Sequence, residues 1–214
     1  MTVETAELMF DTVTGAASPA IGLVMRTQRD LNAQTDAAFR RIEAVGGAML
    51  EAAPLAAMSD GALSAVLSRI RTLPAAPAPR PAPVPNSLRA VIGDSYDRLA
   101  WRSAGPGVEE YPIALGDTGH AVSLLRIAPG RSPLTHRHDG EELTLVLEGD
   151  YCDEVGRFRR GDLQIANESL SHKPVAGATG CLCLTVLAAP VRFSGPVGWL
   201  LNIWRCLHAR KPGE

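Results

Sequence analysis

The 214-residue chain has no cysteine and no histidine before His120, and only four cysteines and five histidines in all. Four thiols (Cys152, Cys181, Cys183, Cys206) in a chain this long exclude a disulfide framework. With no cleavable signal-like start, they predict a reducing, cytoplasmic setting. Neither sign of charge dominates: 21 basic residues face 23 acidic ones, a net −2. That leaves no basic excess for phosphates or an anionic surface, so direct nucleic-acid and membrane binding are not expected. No stretch approaches 18 uninterrupted apolar residues; the nearest, 176–191, is broken by Gly, Thr and Pro, which excludes a transmembrane helix. A nucleophile-elbow Gly-x-Ser-x-Gly and a phosphate-binding glycine loop are also missing. What is present, 46% apolar residues over this length, suits one large or two modest globular domains.

One boundary is plain. Pro74, Pro77, Pro79, Pro81, Pro83 and Pro85 alternate with other residues, a pattern that favours an extended, semi-rigid linker over helix or paired strand. Before it the hydrophobic period is helical, and after it the chain alternates like β-strands between glycine turns. The expected layout is α+β: a helical domain over 1–73, a linker over 74–85 and an all-β domain over 86–214. Four helices are expected in the first part. One covers Val3 to Thr14 and a second starts at Ser18-Pro19. A third follows Thr35-Asp36 and runs to about Glu51, and a fourth opens at Ser59-Asp60 and closes at Pro74. Leu63, Val66, Leu67 and Ile70 form one apolar stripe, and Phe39, Ile42, Val45 and Met49 nearly another. Such stripes are usually core, with partner docking the second reading. In the second part the runs 121–127, 143–147 and 181–187 predict an antiparallel sandwich or barrel.

Chemistry concentrates in that second part. His136 and His138 are two apart and share a strand face, Glu142 keeps the same parity, and His172 arrives from a later strand. Three imidazoles and a carboxylate are a donor set for zinc, iron, manganese or nickel. The bland alternative is a set of hydrogen-bonded core residues without a metal. His120 and His208 lie outside the pattern and read as surface or loop residues. Cys181 and Cys183 also share a face; they read first as small core residues and second as a redox-active pair.

The spacing Gly130-x5-His136-x-His138-x3-Glu142-x6-Gly149 resembles the first signature of the cupin superfamily. Gly161-x5-Asn167-x-Ser169-x2-His172 keeps the length and histidine of the second, with Asn167 and Ser169 where Pro and Gly are usual. The longer string from His136 to Gly149, followed by Tyr151, Asp153-Glu154, Gly161-Asp162 and Ser171-His172-Lys-Pro, resembles the ChrR family of anti-sigma factors. Leu99-Ala-Trp101-Arg102, Gly105-Pro-Gly107-Val108 and, upstream, Glu43-Ala-Val45-Gly46-Gly47 add to that resemblance.

The resemblance implies a double-stranded β-helix (jelly-roll) cupin and helices that bind an extracytoplasmic-function (ECF) sigma factor. It further implies release of that factor in response to singlet oxygen or organic peroxide, and one divalent metal, zinc first, at His136, His138, Glu142 and His172. It also implies a zinc in the helical domain, held by an N-terminal His and a His-x3-Cys-x2-Cys motif. The matching positions here are Gln28, Asn32 and Thr35, so no zinc is expected there.

Three functions follow in order: the sigma-binding regulator, with no catalytic residues assigned; a cupin metalloenzyme, a dioxygenase or hydrolase of a small molecule; and a metal-dependent small-molecule binding module. A homodimer is compatible with all three.

Overall fold

The computed structural model describes residues 2–74, 83–116, 119–133, 140–167 and 172–188, together with the backbone of strand residues 136–137, 171 and 192–193. Four helices come first: α1 (Val3–Thr14), α2 (Pro19–Leu31), α3 (Ala33–Glu51) and α4 (Ala62–Thr72). Thr2 and Ser18 cap α1 and α2 by accepting the N–H groups of Thr5 and Ile21, and Gly15 closes α1 in the left-handed region at φ 80°. Two starts differ from expectation. Helix α3 begins at Ala33, two residues before Thr35-Asp36, because its cap is Asn32, whose Oδ1 takes the N–H groups of both Gln34 (2.9 Å) and Thr35 (3.2 Å). Helix α4 begins after Gly61, not at Ser59-Asp60, with no side-chain cap.

Most of the proline-rich segment, 75–82, lies outside the described residues. Its end is packed, with Val84 fully buried. The segment after it opens with a short helix, α5 (Asn86–Ile92), and a 3-10 turn at Tyr96–Arg98 before the alternation begins.

Ten strands follow in the described residues: β1 (Arg102–Gly105), β2 (Val108–Ile113), β3 (Ala121–Ile127), β4 (His136–Arg137), β5 (Glu142–Cys152), β6 (Arg157–Arg159), β7 (Leu163–Ala166), β8 (Ser171–His172), β9 (Val175–Leu187) and β10 (Arg192–Phe193). All pair antiparallel. The larger sheet runs β1-β2-β3-β9-β5-β6, with β7 also on β5, and the smaller runs β10-β4-β8. Strand β5 bulges between Val146 and Glu148 and again between Gly149 and Tyr151. Gly149 sits there at φ 69°, and a Cβ would strike the Gly180 carbonyl, so this turn demands glycine.

The two faces of the large sheet bury different things. Leu143, Leu145 and Leu147 of β5 and Leu182, Leu184 and Val186 of β9 form one cluster with Leu23, Val24 and Met25 of α2 and with Phe39 of α3. Between them, Val146, Cys181 and Cys183 face the other way, with Tyr151, Val108 and Ile127. Alternation thus turns leucines toward the helices and a mixed polar and thiol row toward the smaller sheet. Polar ties fix the seam: Asp30 accepts the Ser87 N–H at 2.7 Å, and Gln28 Nε2 reaches the Gly161 carbonyl at 3.5 Å.

The two apolar stripes have different fates. Phe39 is buried and Ile42 half-buried, but Val45 and Met49 on the same helix are exposed. On α4, Leu63, Val66, Leu67 and Ile70 are 67%, 51%, 42% and 57% exposed, and no residue of that helix is buried. The core reading of the α4 stripe is therefore corrected: nothing in the described chain covers it. Among the described residues, no single helix is long and apolar enough to cross a membrane.

Candidate functional site

The site is built where the two sheets face each other. Glu142 opens β5 and His172 ends β8, on different sheets, with both side chains buried. His172 Nε2 stands 3.7 Å from Glu142 Oε2. The cross-strand register pairs His136 with His172. His136 and Glu142 therefore do not share parity on one strand, as the spacing had implied; the chain crosses from the small sheet to the large one between them. The side chain of His136, and His138 entirely, lie outside the described residues. Among the described residues no group of three or more His, Cys, Asp or Glu side chains is arranged to hold a metal.

Each described donor is held from behind. Thr144 donates its hydroxyl to Glu142 Oε1 at 3.0 Å. His172 Nδ1 lies 3.0 Å from Asp153 Oδ2, and the Asp153 side chain is fully buried. Burial pushes the Asp153 carboxyl up, but the donors Gln164, His172, Gly156 and Val155 outweigh it and hold it below the usual value. Burial likewise pushes the His172 imidazole down, and the flanking carboxylates of Glu142 and Asp153 reverse that and raise it. Tyr151 OH donates to Gln164 Oε1 at 2.7 Å, and Gln164 Nε2 donates to Asp153 Oδ2 at 2.7 Å. Asp153 and Gln164 carried no role in the sequence, although Asp153 with Gly156 three residues on is a readable turn signal.

Deeper along the same face, Thr185 Oγ1 meets Ser123 Oγ at 3.0 Å, and Cys181 and Cys183 place their sulfurs 3.3 Å apart. Both thiols are free and buried. The hydrogen bond it shares with Cys181, then burial, raises the Cys183 thiol well above its ordinary value, which keeps it protonated.

Two donors of a kind that a divalent cation accepts meet at the sheet junction: the His172 imidazole Nε2 and the Glu142 carboxylate face each other, and the opposite imidazole nitrogen is occupied by a second carboxylate, that of Asp153. The helical positions do not fit a zinc. Asn32 Oδ1 is filled by two backbone N–H groups, and Gln28 and Thr35 are buried amide and hydroxyl side chains without thiolate or imidazole nearby.

A helical unit seated on an antiparallel jelly-roll with a buried His–Glu pair between its sheets defines a class: a cupin with an N-terminal helical domain. Residues 91–190 match the model of the ChrR cupin-like domain. The chain is 37% identical to the anti-sigma-E factor ChrR of Cereibacter sphaeroides over 187 residues, covering 84% of this chain and 86% of that protein. The crystal structure of Rhodobacter sphaeroides SigE in complex with the anti-sigma ChrR superposes with a TM-score of 0.69 at 33% identity, covering 85% of this chain and 96% of that one. The chain belongs to the ChrR family of anti-sigma factors.

Proposed function

We propose that this chain is an anti-sigma factor. Residues 1–73 hold an ECF-type sigma factor away from RNA polymerase in the cytoplasm, and the cupin at 86–214 governs its release. The observation that carries this reading is α4: an amphipathic helix whose Leu63, Val66, Leu67 and Ile70 face stays exposed among the described residues, on a unit that α2 anchors to the barrel. An exposed apolar face of this kind marks a docking surface. Basic Arg69 and Arg71 in its last turn give it a rim suited to an acidic partner surface.

In the same reading, one divalent metal sits at His136, His138, Glu142 and His172, zinc first and iron, manganese or nickel by the same donor chemistry. Zinc has no redox chemistry of its own. Singlet oxygen or an organic peroxide therefore acts on the protein groups around it, and loss or rearrangement of that site shifts the helical unit away from its partner. Moving the population from nearly all bound to nearly all free needs a differential of about 5 kcal/mol.

Transcription reconstituted with RNA polymerase, the cognate sigma factor and the purified full chain tests the reading. The wild type inhibits. Leu63→Asp combined with Leu67→Asp, on a face that bears no load in the isolated chain, is expected to weaken inhibition by about 100-fold with an unchanged melting temperature. Unchanged inhibition by that variant removes α4 as the docking face. No inhibition by the wild type, or a dimer of this chain formed through α4 in its place, removes the anti-sigma reading.

A further inference from the structure

Resting on the metal reading above, we propose that Asp153, backed by Gln164 and Tyr151, is a positioning residue for the ligand His172: a buried hydrogen-bonded chain fixes the imidazole so that only Nε2 is turned to the cation. The argument is one of complete satisfaction. Asp153 Oδ1 accepts the N–H groups of Val155 (2.9 Å) and Gly156 (3.1 Å). Oδ2 accepts from Gln164 Nε2 and from His172 Nδ1. Four contacts occupy both oxygens of the buried carboxylate, so the imidazole is held by its Nδ1 edge at Asp153 and its Nε2 edge faces Glu142.

Gln164 is equally determined. Its Oε1 takes the Tyr151 hydroxyl, so its amide cannot flip without placing oxygen against the Asp153 carboxylate. Tyr151 is buried, and its ring stacks on Phe158 at 5.1 Å and 23°. The chain thus starts on β5, passes through β7 and the turn after β5, and ends on β8. It is the polar path by which the rigid large sheet sets the angle of a side chain on the two-residue strand of the small one. A carboxylate behind a ligating histidine also raises the basicity of the ligating nitrogen.

The test uses the full chain and two readouts: zinc affinity by competition with a chromophoric chelator, and the visible spectrum of the cobalt(II)-loaded protein, which reports ligand geometry. Wild type takes up one zinc. Asp153→Asn keeps the shape and removes the charge, and it is expected to weaken zinc binding by about 10–100-fold and to shift the cobalt bands. Tyr151→Phe removes one oxygen while keeping the stacked ring, and it is expected to weaken zinc by about 2–10-fold in the same direction. Wild-type zinc affinity and an unchanged cobalt spectrum in both variants would overturn the inference. A wild type that takes up neither metal overturns the metal reading itself, before either variant is needed.

Discussion

Helices α2 and α4 have 13 and 11 residues, and each carries an apolar stripe at helical spacing, yet α2 buries eight residues and α4 none. The difference lies in what each meets. Helix α2 starts from a Ser18 cap and Pro19, lays Leu23, Val24 and Met25 on the leucines of β5 and β9, and is pinned by Asp30 to α5. Its other flank is tied to α3: Arg29 grips Glu43 with both terminal nitrogens, reaches Asp36 with Nε, and lies over the Phe39 ring at 5.2 Å. Helix α4 follows an exposed stretch, lacks a capping side chain and makes no ion pair among the described residues. A hydrophobic period announces that a face will be covered, and it does not say whether the cover belongs to the same chain.

Truncation should separate the two helices most strongly. Met25→Ala removes a fully buried side chain at the seam between helices and barrel, and an expected loss of about 2–5 kcal/mol follows from the lost burial plus the cavity left behind. Leu63→Ala on α4 should stay within about 0.5 kcal/mol, since that side chain is largely exposed to water. Chemical denaturation of both variants checks the pair. Comparable losses would mean that α4 is packed in solution and would dissolve the contrast.

The same contrast explains which parts of the molecule could be read in advance. Helix α1 and the start of α2 agree with their caps, because capping is a local event between neighbours in sequence. Helix α5 escaped because seven residues are too few to display a period. At the site, the sequence singled out Glu142 and His172, whose side chains the fold brings within 3.7 Å, and strand alternation announced the shared face of Cys181 and Cys183. Tyr151 was not: two bulges between Glu142 and Tyr151 break the alternation, so parity cannot be counted through them. Gln164 and Asp153 escaped for another reason. Their roles are set by contacts across strands, to His172 and to each other, which no pattern along one strand encodes.

Helix starts offer a smaller contrast. Asn32→Ala deletes an oxygen that holds two α3 N–H groups and should cost about 1 kcal/mol. Ser59→Ala, at the position where the sequence placed the cap of α4, should change nothing measurable, because α4 starts after Gly61 without a side-chain cap. Urea titrations of the two variants side by side decide it. A loss at Ser59 equal to that at Asn32 would restore the earlier boundary and give α4 a defined start.

The smallest effect concerns the ionic flank of α2. The Arg29 hydrogen bond, opposed by desolvation and aided by Arg40, holds the Asp36 carboxyl below its ordinary 3.8. A depressed carboxyl contributes stability that is fully present above the unfolded value and is lost as pH falls through the lower folded one. Wild type should therefore melt slightly above Asp36→Asn near neutral pH, and the gap should close below about pH 4 as the carboxyl takes its proton. Because Asp36 is solvent-accessible, the gap should also shrink in about 1 M salt. Removing Arg69 from α4 should produce no gap that depends on acid, since that residue has no carboxylate partner among the described residues. A gap at Asp36 that persists unchanged into acid would show that its contribution is not ionic, and the ionic tie between α2 and α3 would then rest on Arg29 with Glu43.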